Sequence, residues 1–225
     1  MNGLFETFID FRTILLGGTI ETLYMVFASV ILAYGIGIPV GALLVVTADD
    51  GISPNKFIST ALGGIVNAIR SIPFVLTIVI LIPFTRWIVG TALGSPAAIV
   101  PLVIGSFPFI SRMVESSLRE IDTGVIDAAR SMGASNFQII TKVLIPECIP
   151  SLIRGFSITT ILLISFSAMA GAVGAGGLGR IAIRYGYQRF QDDVMFLTLA
   201  IIVVIVAIIQ FGFNTIAAKL DKSTL

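Results

Sequence analysis

The chain has 225 residues, of which 56% are hydrophobic and only 12% are charged, with a formal net charge of +1. Soluble domains carry about 25% charged residues, so this composition excludes an ordinary soluble protein and predicts an integral membrane protein. The sequence contains no histidine and a single cysteine, Cys148. Imidazole catalysis, histidine-ligated metals and an intrachain disulfide are therefore also excluded.

Several apolar runs in the chain are long enough to cross a membrane. A transmembrane helix needs about 20 apolar residues, and lipid offers no partner for unpaired backbone groups, so helices are expected. We predict an all-α integral membrane protein with five transmembrane helices in a single domain over residues 1–225. The predicted spans cover approximately residues 20–47, 57–84, 95–114, 150–175 and 193–218. The first span carries Gly37 and Gly41, a pair whose spacing favours close contact with another helix.

The second span is interrupted by a charge and a proline. Arg70 has uncharged residues on both sides, and an arginine at the centre of a bilayer costs about 3 kcal/mol on insertion scales. It should therefore face protein or water. Two roles remain open: a structural clamp on the carbonyl groups that Pro73 frees, or a place in a transport path together with Ser71 and Pro73. Glu115, near the end of the third span, is a candidate partner for the arginine.

The third and fourth spans are separated by the longest polar interval in the chain, residues 120–147. Asp122 is suited to cap a short helix over residues 123–132, because its carboxylate accepts hydrogen bonds from unpaired backbone N–H groups. Gly133 suits the end of that helix, since glycine adopts the left-handed conformation without a steric penalty. This pattern predicts a first short helix that lies outside the bilayer.

A second short helix is predicted after the glycine. Ser135 and Gln138 have the S-x-x-Q spacing of a capping box, in which each side chain bonds the backbone N–H of the other residue. Pro146 lacks a backbone N–H group, and we expect the second helix to end there. The polar interval is therefore expected to form two short helices with a glycine elbow between them.

The first of these short helices has a narrow apolar ridge. Its members recur at helical spacing and are Val125, Ile126, Ala129 and Met132. Asp127 and Arg130 point away from the ridge, and Ala128 keeps the surface compact. Such a helix fits a groove on another protein, whereas the alternative is an amphipathic helix that lies on lipid headgroups.

The fourth span contains several hydroxyl side chains. Hydroxyl groups in helices commonly bond back to a carbonyl of the preceding turn, so they need no function here. Ser165 and Met169 lie four residues apart and hence on one face of the helix. They are candidate lining residues of a transport path, with a soft sulfur at its constriction.

A glycine-rich stretch follows the fourth span and matches the G-x-G-x-x-G pattern of dinucleotide-binding sites. That interpretation requires a preceding strand in a βαβ unit, whereas the run before this stretch is long enough to span a bilayer. We instead expect a tightly packed, flexible turn that forms a gate at the extracellular mouth, because glycines allow close backbone approach and hinge motion. The candidate gate residues are Gly174, Gly176, Gly177 and Gly179.

Arginines and tyrosines come directly after the glycine stretch. The candidates among them are Arg184, Tyr185, Tyr187 and Arg189. Two interpretations remain open: an interfacial belt that anchors the helix ends, or a docking surface for a soluble partner. Nucleic acid is not expected as a partner, because this cluster lies between two membrane spans.

The distribution of lysine and arginine predicts the orientation of the chain, because cytoplasmic segments carry an excess of both. The side of the polar interval holds Lys56, Arg112, Arg119, Arg130, Lys142, Arg154, Lys219 and Lys222. The other side holds Arg12, Arg86, Arg180, Arg184 and Arg189. We therefore expect the polar interval and the C-terminus in the cytoplasm, and the N-terminus outside.

The polar interval also resembles a known signature. Permeases of binding-protein-dependent ABC importers carry E-A-A, then glycine after three residues, and later L-P, in a cytoplasmic loop. This chain has Asp127-Ala128-Ala129, Gly133 and Pro146 at the matching places, with Asp in place of Glu and Ile145 before the proline. The resemblance implies that these residues form a coupling helix that docks into an ATPase subunit.

Two further stretches, residues 70–74 and 168–190, are similar to the methionine-uptake ABC permeases. This resemblance covers nearly the whole chain. It implies the type I ABC importer permease fold, a cytoplasmic two-helix coupling loop and a location in the bacterial inner membrane. It further implies a homodimer, two cytoplasmic ATPase subunits that bind ATP and magnesium, and an extracytoplasmic substrate-binding lipoprotein.

The expected function is a membrane path for methionine, in the D or L form, with no catalysis and no cofactor on this chain. The sequence has no G-x-x-x-x-G-K-[ST] loop, so ATP hydrolysis is expected on the partner. Five helices enclose little space, so two copies are expected to form the path. Three alternatives stay open: a permease for another small solute such as a quaternary amine, an ion-coupled secondary carrier, and a membrane-embedded hydrolase. The sequence shows neither the internal repeats of such carriers nor an acid–base pair within a span.

Overall fold

A computed structural model describes residues 4–220 of the chain, and Lys222 of the orientation count lies outside them. The described residues form helices and no β-strands, in agreement with the predicted all-α class. The α-helices are α1 (Leu4–Val46), α2 (Lys56–Arg70), α3 (Phe74–Ile80), α4 (Ile82–Val89), α5 (Ser95–Arg119), α6 (Thr123–Ser131), α7 (Asn136–Ile139), α8 (Ile145–Glu147), α9 (Ile149–Ala172), α10 (Gly177–Ile181) and α11 (Asp192–Leu220). Two π-helical segments, Ile140–Leu144 and Ala182–Tyr187, follow α7 and α10.

Among the described residues, four helices are long and apolar enough to cross a membrane: α1, α5, α9 and α11. If the bent pair of α2 and α3 is counted as one further span, the number of spans is five. α1 has 43 residues. At 1.5 Å per residue it is about 65 Å long, well beyond the ~30 Å hydrocarbon core. It starts before the predicted first span, and this N-terminal extension packs on the protein through Leu15, which is buried against Leu178 and Ile181.

The long helices share two ends, which we call the loop end and the glycine end. At the loop end, Arg119 at the end of α5 forms an ion pair with Asp50, just after α1, at 3.1 Å. At the glycine end, the hydroxyl of Ser95 at the start of α5 donates to the carbonyl of Ala175 at 3.3 Å. α1 and α5 therefore both run from the glycine end to the loop end.

α9 and α11 complete the bundle in opposite directions. α9 starts at the loop end, where the thiol of Cys148 donates to the carbonyl of Ser117 in α5 at 3.1 Å. The rings of Phe156, early in α9, and Phe213, late in α11, have centroids 5.0 Å apart. α11 therefore finishes at the loop end, opposite to the end at which α1 begins.

The second predicted span is broken into three helices. α2 and α3 meet at an angle of 100°, and a second break at Leu81 separates α3 from α4. Pro73, which has no N–H group, is the N-cap of α3. α4 reaches the glycine end, where Thr85 and Ala175 line one small cavity. The predicted interruption at residues 70–73 is thus present as a sharp bend.

The second helix of the polar interval does not end at Pro146, contrary to the prediction. The helical backbone continues from α7 through the first π segment and α8 towards α9. Pro146 lies in the first turn of α8, where a missing N–H group costs little. The N–H of Cys148 still donates to the carbonyl of Leu144 at 3.2 Å. The polar interval therefore leads into the fourth span as an almost continuous helix.

α1 and α5 make the largest contact between two helices in the fold. A Cβ at Gly41 would lie 2.6 Å from the carbonyl oxygen of Ser111 and 2.7 Å from Cβ of Val114. A Cβ at Gly37 would likewise meet the side chain of Ile110. The predicted close contact of this glycine pair is therefore confirmed.

Candidate coupling surface and transport path

α6 and the turn after it have the local geometry predicted from the sequence. Asp122 caps the helix, with Oδ1 accepting a hydrogen bond from the N–H of Gly124 at 2.7 Å. Gly133 has a φ of +79°, and no heavy atom lies within 4 Å of the position that a Cβ would occupy. Ser135 and Gln138 form the predicted capping box, at 3.3 and 2.9 Å. These caps determine where α6 ends and where α7 begins.

The apolar ridge predicted on α6 faces in two directions. Ile126 and Ala129 pack into the hydrophobic core of the chain, and Ala129 is only 4% exposed. Val125 and Met132 are 43% and 82% exposed. Phe137 on α7, which the sequence pattern did not single out, is 74% exposed. The ridge therefore anchors α6 on one side and leaves apolar side chains for a partner on the other.

Asp127 and Ala128 are exposed on α6, whereas Arg130 turns back towards the protein. Its Nη2 donates to the carbonyl of Ile52 at 2.9 Å. Ile52 lies between α1 and α2 and packs against the core. This hydrogen bond links α6 to the loop end of the bundle. We call the exposed set the coupling surface: Val125, Asp127, Ala128, Met132 and Phe137.

Ion pairs and a hydrogen bond connect α2, α5 and the segment after α1 at the loop end. Arg119 contacts Asp50 at 3.1 Å and Glu115 at 3.4 Å. Glu115 also pairs with Arg112 at 2.6 Å. Arg112 in turn donates to Oδ1 of Asn67 on α2 at 2.9 Å. The only acidic residue of α5 is therefore engaged by two arginines of its own helix.

Arg70 lies at the C-terminal end of α2, and its side chain is exposed. The guanidinium forms no ion pair or hydrogen bond within the described part of the chain. The pair with Glu115 and the clamp on backbone carbonyls are therefore both absent from the described residues. The hydroxyl of Ser71 donates to an earlier carbonyl of α2 at 2.8 Å, and Pro73 is exposed.

The bend after Arg70 lies near the middle of the bundle. Asn67, just before it, is bonded to Arg112 of α5. Phe74, just after it, lies against Gly105 of α5, where a Cβ would be 3.0 Å from the phenylalanine ring. Residues 105 and 112 flank the midpoint of α5. Arg70 therefore lies about halfway between the loop end and the glycine end.

Both candidate lining residues on α9 are exposed, Met169 by 45%. The hydroxyl of Ser165 bonds back to the carbonyl of Ile161 at 3.4 Å. Phe166, next to it, stacks on Phe74 of α3 with ring centroids 4.1 Å apart. The bend of the second span and the Ser165 region of α9 therefore lie side by side.

The glycine stretch is tightly packed, as predicted. Positive φ angles of +101°, +96° and +72° occur at Gly174, Gly176 and Gly177. A Cβ on Gly176 would lie 2.6 Å from Oε2 of Glu21, and one on Gly179 would lie 2.5 Å from the backbone of Ala168. Glycine is therefore required here by close approach as well as by conformation.

Glu21 on α1 holds the glycine stretch, a role that the sequence did not reveal. Its carboxylate accepts a hydrogen bond from the N–H of Gly177 at 2.6 Å and lies 3.5 Å from Nη2 of Arg180. The hydroxyl of Thr22 accepts a hydrogen bond from the N–H of Leu178 at 2.9 Å. These two side chains cap the first turn of α10. The contact spans 156 positions, and an isolated glutamate carries no pattern that points to so distant a partner.

Tyr185 brings most of the arginine and tyrosine candidates together. The guanidinium carbons of Arg184 and Arg189 lie 5.9 and 4.9 Å from the centroid of its ring. Phe11 of α1 packs edge-on against the same ring at 5.3 Å. Tyr187 stays apart at the surface and is 69% exposed. The glycine end therefore presents a surface that is both cationic and aromatic.

Cys148 immediately precedes α9 and is only 3% exposed. Burial raises the pKa of its thiol to about 11, and the nearby carboxylates of Glu120 and Glu147 add to the effect. The thiol therefore stays neutral at physiological pH. In this environment Cys148 acts as a small apolar side chain that fills space in the core.

Comparison with known proteins identifies relatives of similar length. The probable D-methionine transport system permease protein MetI of Vibrio cholerae is 46% identical over 208 residues, 92% of each chain. The methionine import system permease protein MetP of Bacillus subtilis is 48% identical over 210 residues, 93% of this chain and 95% of that protein. A solved structure of the MetNI methionine ABC transporter in an inward-facing conformation contains a chain that is 47% identical, with a TM-score of 0.93 and coverage of 95% of this chain and 99% of that chain.

A match to a family model covers most of the sequence as well. The family is described as binding-protein-dependent transport system inner membrane component, and its model matches residues 33–224. This range includes the coupling surface, the bend at Arg70 and the glycine stretch. The chain belongs to the family of inner membrane components of binding-protein-dependent transport systems.

Proposed function

We propose that this chain is the permease subunit of an ABC importer for methionine. The observation that carries this proposal is the likeness over nearly the full chain to methionine permeases, in sequence and in fold. The chain supplies the membrane path and catalyses no reaction. The ATPase is a separate partner that binds the nucleotide. No observation favours a quaternary-amine permease or an ion-coupled carrier.

The chain acts as a homodimer with two cytoplasmic ATPase subunits and an extracytoplasmic substrate-binding protein, in the bacterial inner membrane. Its loop end and C-terminus face the cytoplasm, and its N-terminus lies outside. Two observations support this orientation. Lysine and arginine are in excess on the side of the polar interval. The described chain also begins at the glycine end and finishes at the loop end, as an odd number of crossings requires.

The coupling surface docks into a groove of the ATPase. Met132 and Phe137 supply apolar area, and full burial of such a side chain contributes about 1.5–3 kcal/mol. Asp127 and Ala128 lie on the exposed part of α6, and the small side chain of Ala128 allows the ATPase to approach closely. Gly133 sets the direction of α6 relative to α7. Pro146 lies where the coupling loop passes into the fourth span.

Movement of the ATPases reaches the membrane path through the buried side of α6. Ile126 and Ala129 are part of the core, and Arg130 is bonded to the segment after α1. α6 therefore moves together with the loop end rather than independently of it. When the two ATPases close, the two coupling surfaces approach each other and the path changes from inward-open to outward-open.

The path itself runs between the two copies along the exposed faces of the bent second span and α9. Its lining residues are Arg70, Ser71, Pro73, Ser165 and Met169. Their exposure supports this assignment, as does the position of the bend near the middle of the bundle, whereas Met169 lies nearer the glycine end. The exposed apolar residues elsewhere on the long helices contact lipid.

The glycine end forms the outer gate and receives the binding protein. Gly174, Gly176, Gly177 and Gly179 form the gate turn, and Arg184, Tyr185, Tyr187 and Arg189 form the docking surface. The position of the two arginines over Tyr185 supports a docking role, since arginine and tyrosine are favoured at interface hot spots.

Uptake by the reconstituted complex tests this function. Proteoliposomes that contain the permease dimer and the ATPase are supplied with binding protein, ATP, and either methionine or glycine betaine as the quaternary amine. We expect methionine uptake that requires both ATP and the binding protein. ATPase stimulation by the amine with no response to methionine would transfer the assignment to the quaternary-amine class. Uptake without nucleotide would instead favour the ion-coupled carrier.

A further inference from the structure

We propose that the guanidinium group of Arg70 binds the carboxylate of the transported amino acid halfway along the path. The inference rests on the proposed function and adds a chemical role to one residue of the path. Three observations carry it: the depth of Arg70, its lack of a partner, and the distribution of acidic residues in the chain.

The depth of Arg70 makes an unpaired charge unfavourable. α2 has 15 residues from the loop end to Arg70, about 22 Å at 1.5 Å per residue. Its neighbours Asn67 and Phe74 contact α5 on either side of the midpoint of that helix. A cation at the centre of a bilayer costs about 3 kcal/mol on insertion scales, so Arg70 is expected to contact water, a ligand or a negatively charged group.

The arginines closer to the loop end all have partners. Arg112 bonds to Glu115 and to Asn67, and Arg119 pairs with Asp50. The guanidinium of Arg70 has no such contact within the described part of the chain, and its side chain is exposed. Arg70 is therefore free to bind a ligand.

A counter-charge at this depth does not come from the protein. α2, α3, α4 and α9 contain no acidic residue, and Glu115, the only one in α5, is already paired with Arg112. The remaining described acids of the long helices are Glu6 and Asp10 early in α1, Asp192 and Asp193 at the start of α11, and Glu21 of α1, which lies at the glycine end and is engaged by Gly177 and Arg180. A second copy of the chain has the same residues, so it also lacks a free carboxylate near the centre. The carboxylate of the transported amino acid is the counter-charge that remains.

The surroundings of Arg70 suit an amino acid with an apolar side chain. Ser71 follows the arginine, and Phe74 just after the bend stacks on Phe166 of α9, which neighbours Ser165 and lies less than one turn from Met169. A guanidinium group binds a carboxylate through two parallel hydrogen bonds, a geometry that lysine does not reproduce. Arg70 would therefore select for the carboxylate, while Met169 offers a polarisable contact to the rest of the molecule.

Substitution of Arg70 in the complete reconstituted complex tests the proposal. We expect Arg70→Gln to lower the methionine imported per ATP hydrolysed by about tenfold or more, as for the loss of a charge-assisted contact. ATPase stimulation by the binding protein should persist, and Arg70→Lys should be intermediate. Arg86→Gln is the matched control, because Arg86 is also exposed and unpaired among the described residues but lies on α4. Full import by Arg70→Gln, or an equal loss in Arg86→Gln, would overturn the proposal.

A ligand experiment that keeps Arg70 intact provides a second test, whether or not the Arg70 variants assemble. Ser71→Cys is labelled with an anionic methanethiosulfonate in the reconstituted complex, with Cys148 replaced by serine. We expect methionine to slow the labelling and methioninol, which has an alcohol in place of the carboxylate, to leave it unchanged. Equal protection by both compounds, or by neither, would contradict a carboxylate site. A wild-type complex that imports no methionine contradicts the proposed function, whereas import that is indifferent to Arg70 contradicts only this inference.

Discussion

Gly133 lies in a turn where the backbone conformation, and not the available space, restricts the residue. Its φ is +79°, and a Cβ at this position would meet no heavy atom within 4 Å. A substitution is therefore strained only to the extent that its side chain resists the left-handed region. This separates two classes of substitution, those that adopt the left-handed conformation and those that do not.

Gly133→Val is expected to uncouple transport, with Gly133→Asn as its control. Valine resists the left-handed region at a cost of about 1–2 kcal/mol, whereas asparagine adopts it readily. The valine variant should insert and dimerise, yet copurify less ATPase and import less methionine because α6 is tilted. The measurements are ATPase copurification and uptake in proteoliposomes. Full coupled transport by the valine variant would show that the turn at Gly133 has no role in coupling.

The thiol of Cys148 should be unreactive until high pH. Burial and neighbouring carboxylates raise its pKa from 9.0 to about 11. The folded state therefore holds the proton more tightly than the unfolded state. The resulting stability is present below about pH 9 and is lost as the pH rises through about 11. At pH 8, iodoacetamide should label Cys148 of the native protein more slowly than it labels the exposed cysteine of the Ser135→Cys variant. Equal labelling rates would contradict the burial.

At the scale of the element, α10 depends on a cap that comes from α1. The carboxylate of Glu21 accepts the N–H of Gly177 at 2.6 Å. Glu21→Ala should destabilise the protein by about 1–2 kcal/mol, the usual loss for an N-cap, and Glu21→Gln by less because its amide oxygen still accepts. Glu6→Ala, at an exposed position of the same helix, is the control. Thermal unfolding in detergent measures the difference, and an unchanged midpoint in Glu21→Ala would show that the cap is dispensable.

In the proposed function, α6 and α7 serve two purposes, anchoring and docking, through different side chains. Met132→Ser and Phe137→Ser remove exposed apolar groups and should leave the fold unchanged while weakening ATPase binding by about tenfold each, the effect of losing about 1.5 kcal/mol of buried area. Phe190→Ser is the control, because Phe190 is 86% exposed at the glycine end. Copurification of the ATPase is the measurement. Equal losses in all three variants would mean that the coupling surface has been misassigned.

At the scale of the whole molecule, the proposed topology has five crossings and puts the two ends of the bundle on opposite sides of the membrane. The cysteines of the Ser135→Cys and Gln188→Cys variants should therefore react with a membrane-impermeant thiol reagent that is added on opposite sides. The cysteine at position 135 should react only after the reagent has been given access to the cytoplasmic face. Gly186 is unsuitable as the outer reporter, because a Cβ there would lie 2.8 Å from Cβ of Met195. Labelling of both cysteines in intact cells would overturn the topology.

The fold class and the caps of the polar interval follow from the sequence by itself. Hydropathy determines the membrane class, because lipid excludes unpaired backbone groups and charges. Asp122, Gly133, Ser135 and Gln138 were predictable because each acts on backbone groups within three residues of itself. That α1 approaches another helix closely was predictable for the same reason, since the spacing of Gly37 and Gly41 is a local pattern, but the structure identifies that helix as α5.

Only the tertiary structure decided which distant groups meet. Glu21 reaches a backbone N–H 156 positions away, and Glu115 pairs with Arg112 and Arg119 rather than with Arg70. Pro146 lies in the first turn of α8 instead of ending a helix. The first turn tolerates a residue without an N–H group, because that group would have no partner within the helix. Such outcomes depend on which groups packing brings within bonding distance, and this distance is a property of the folded bundle.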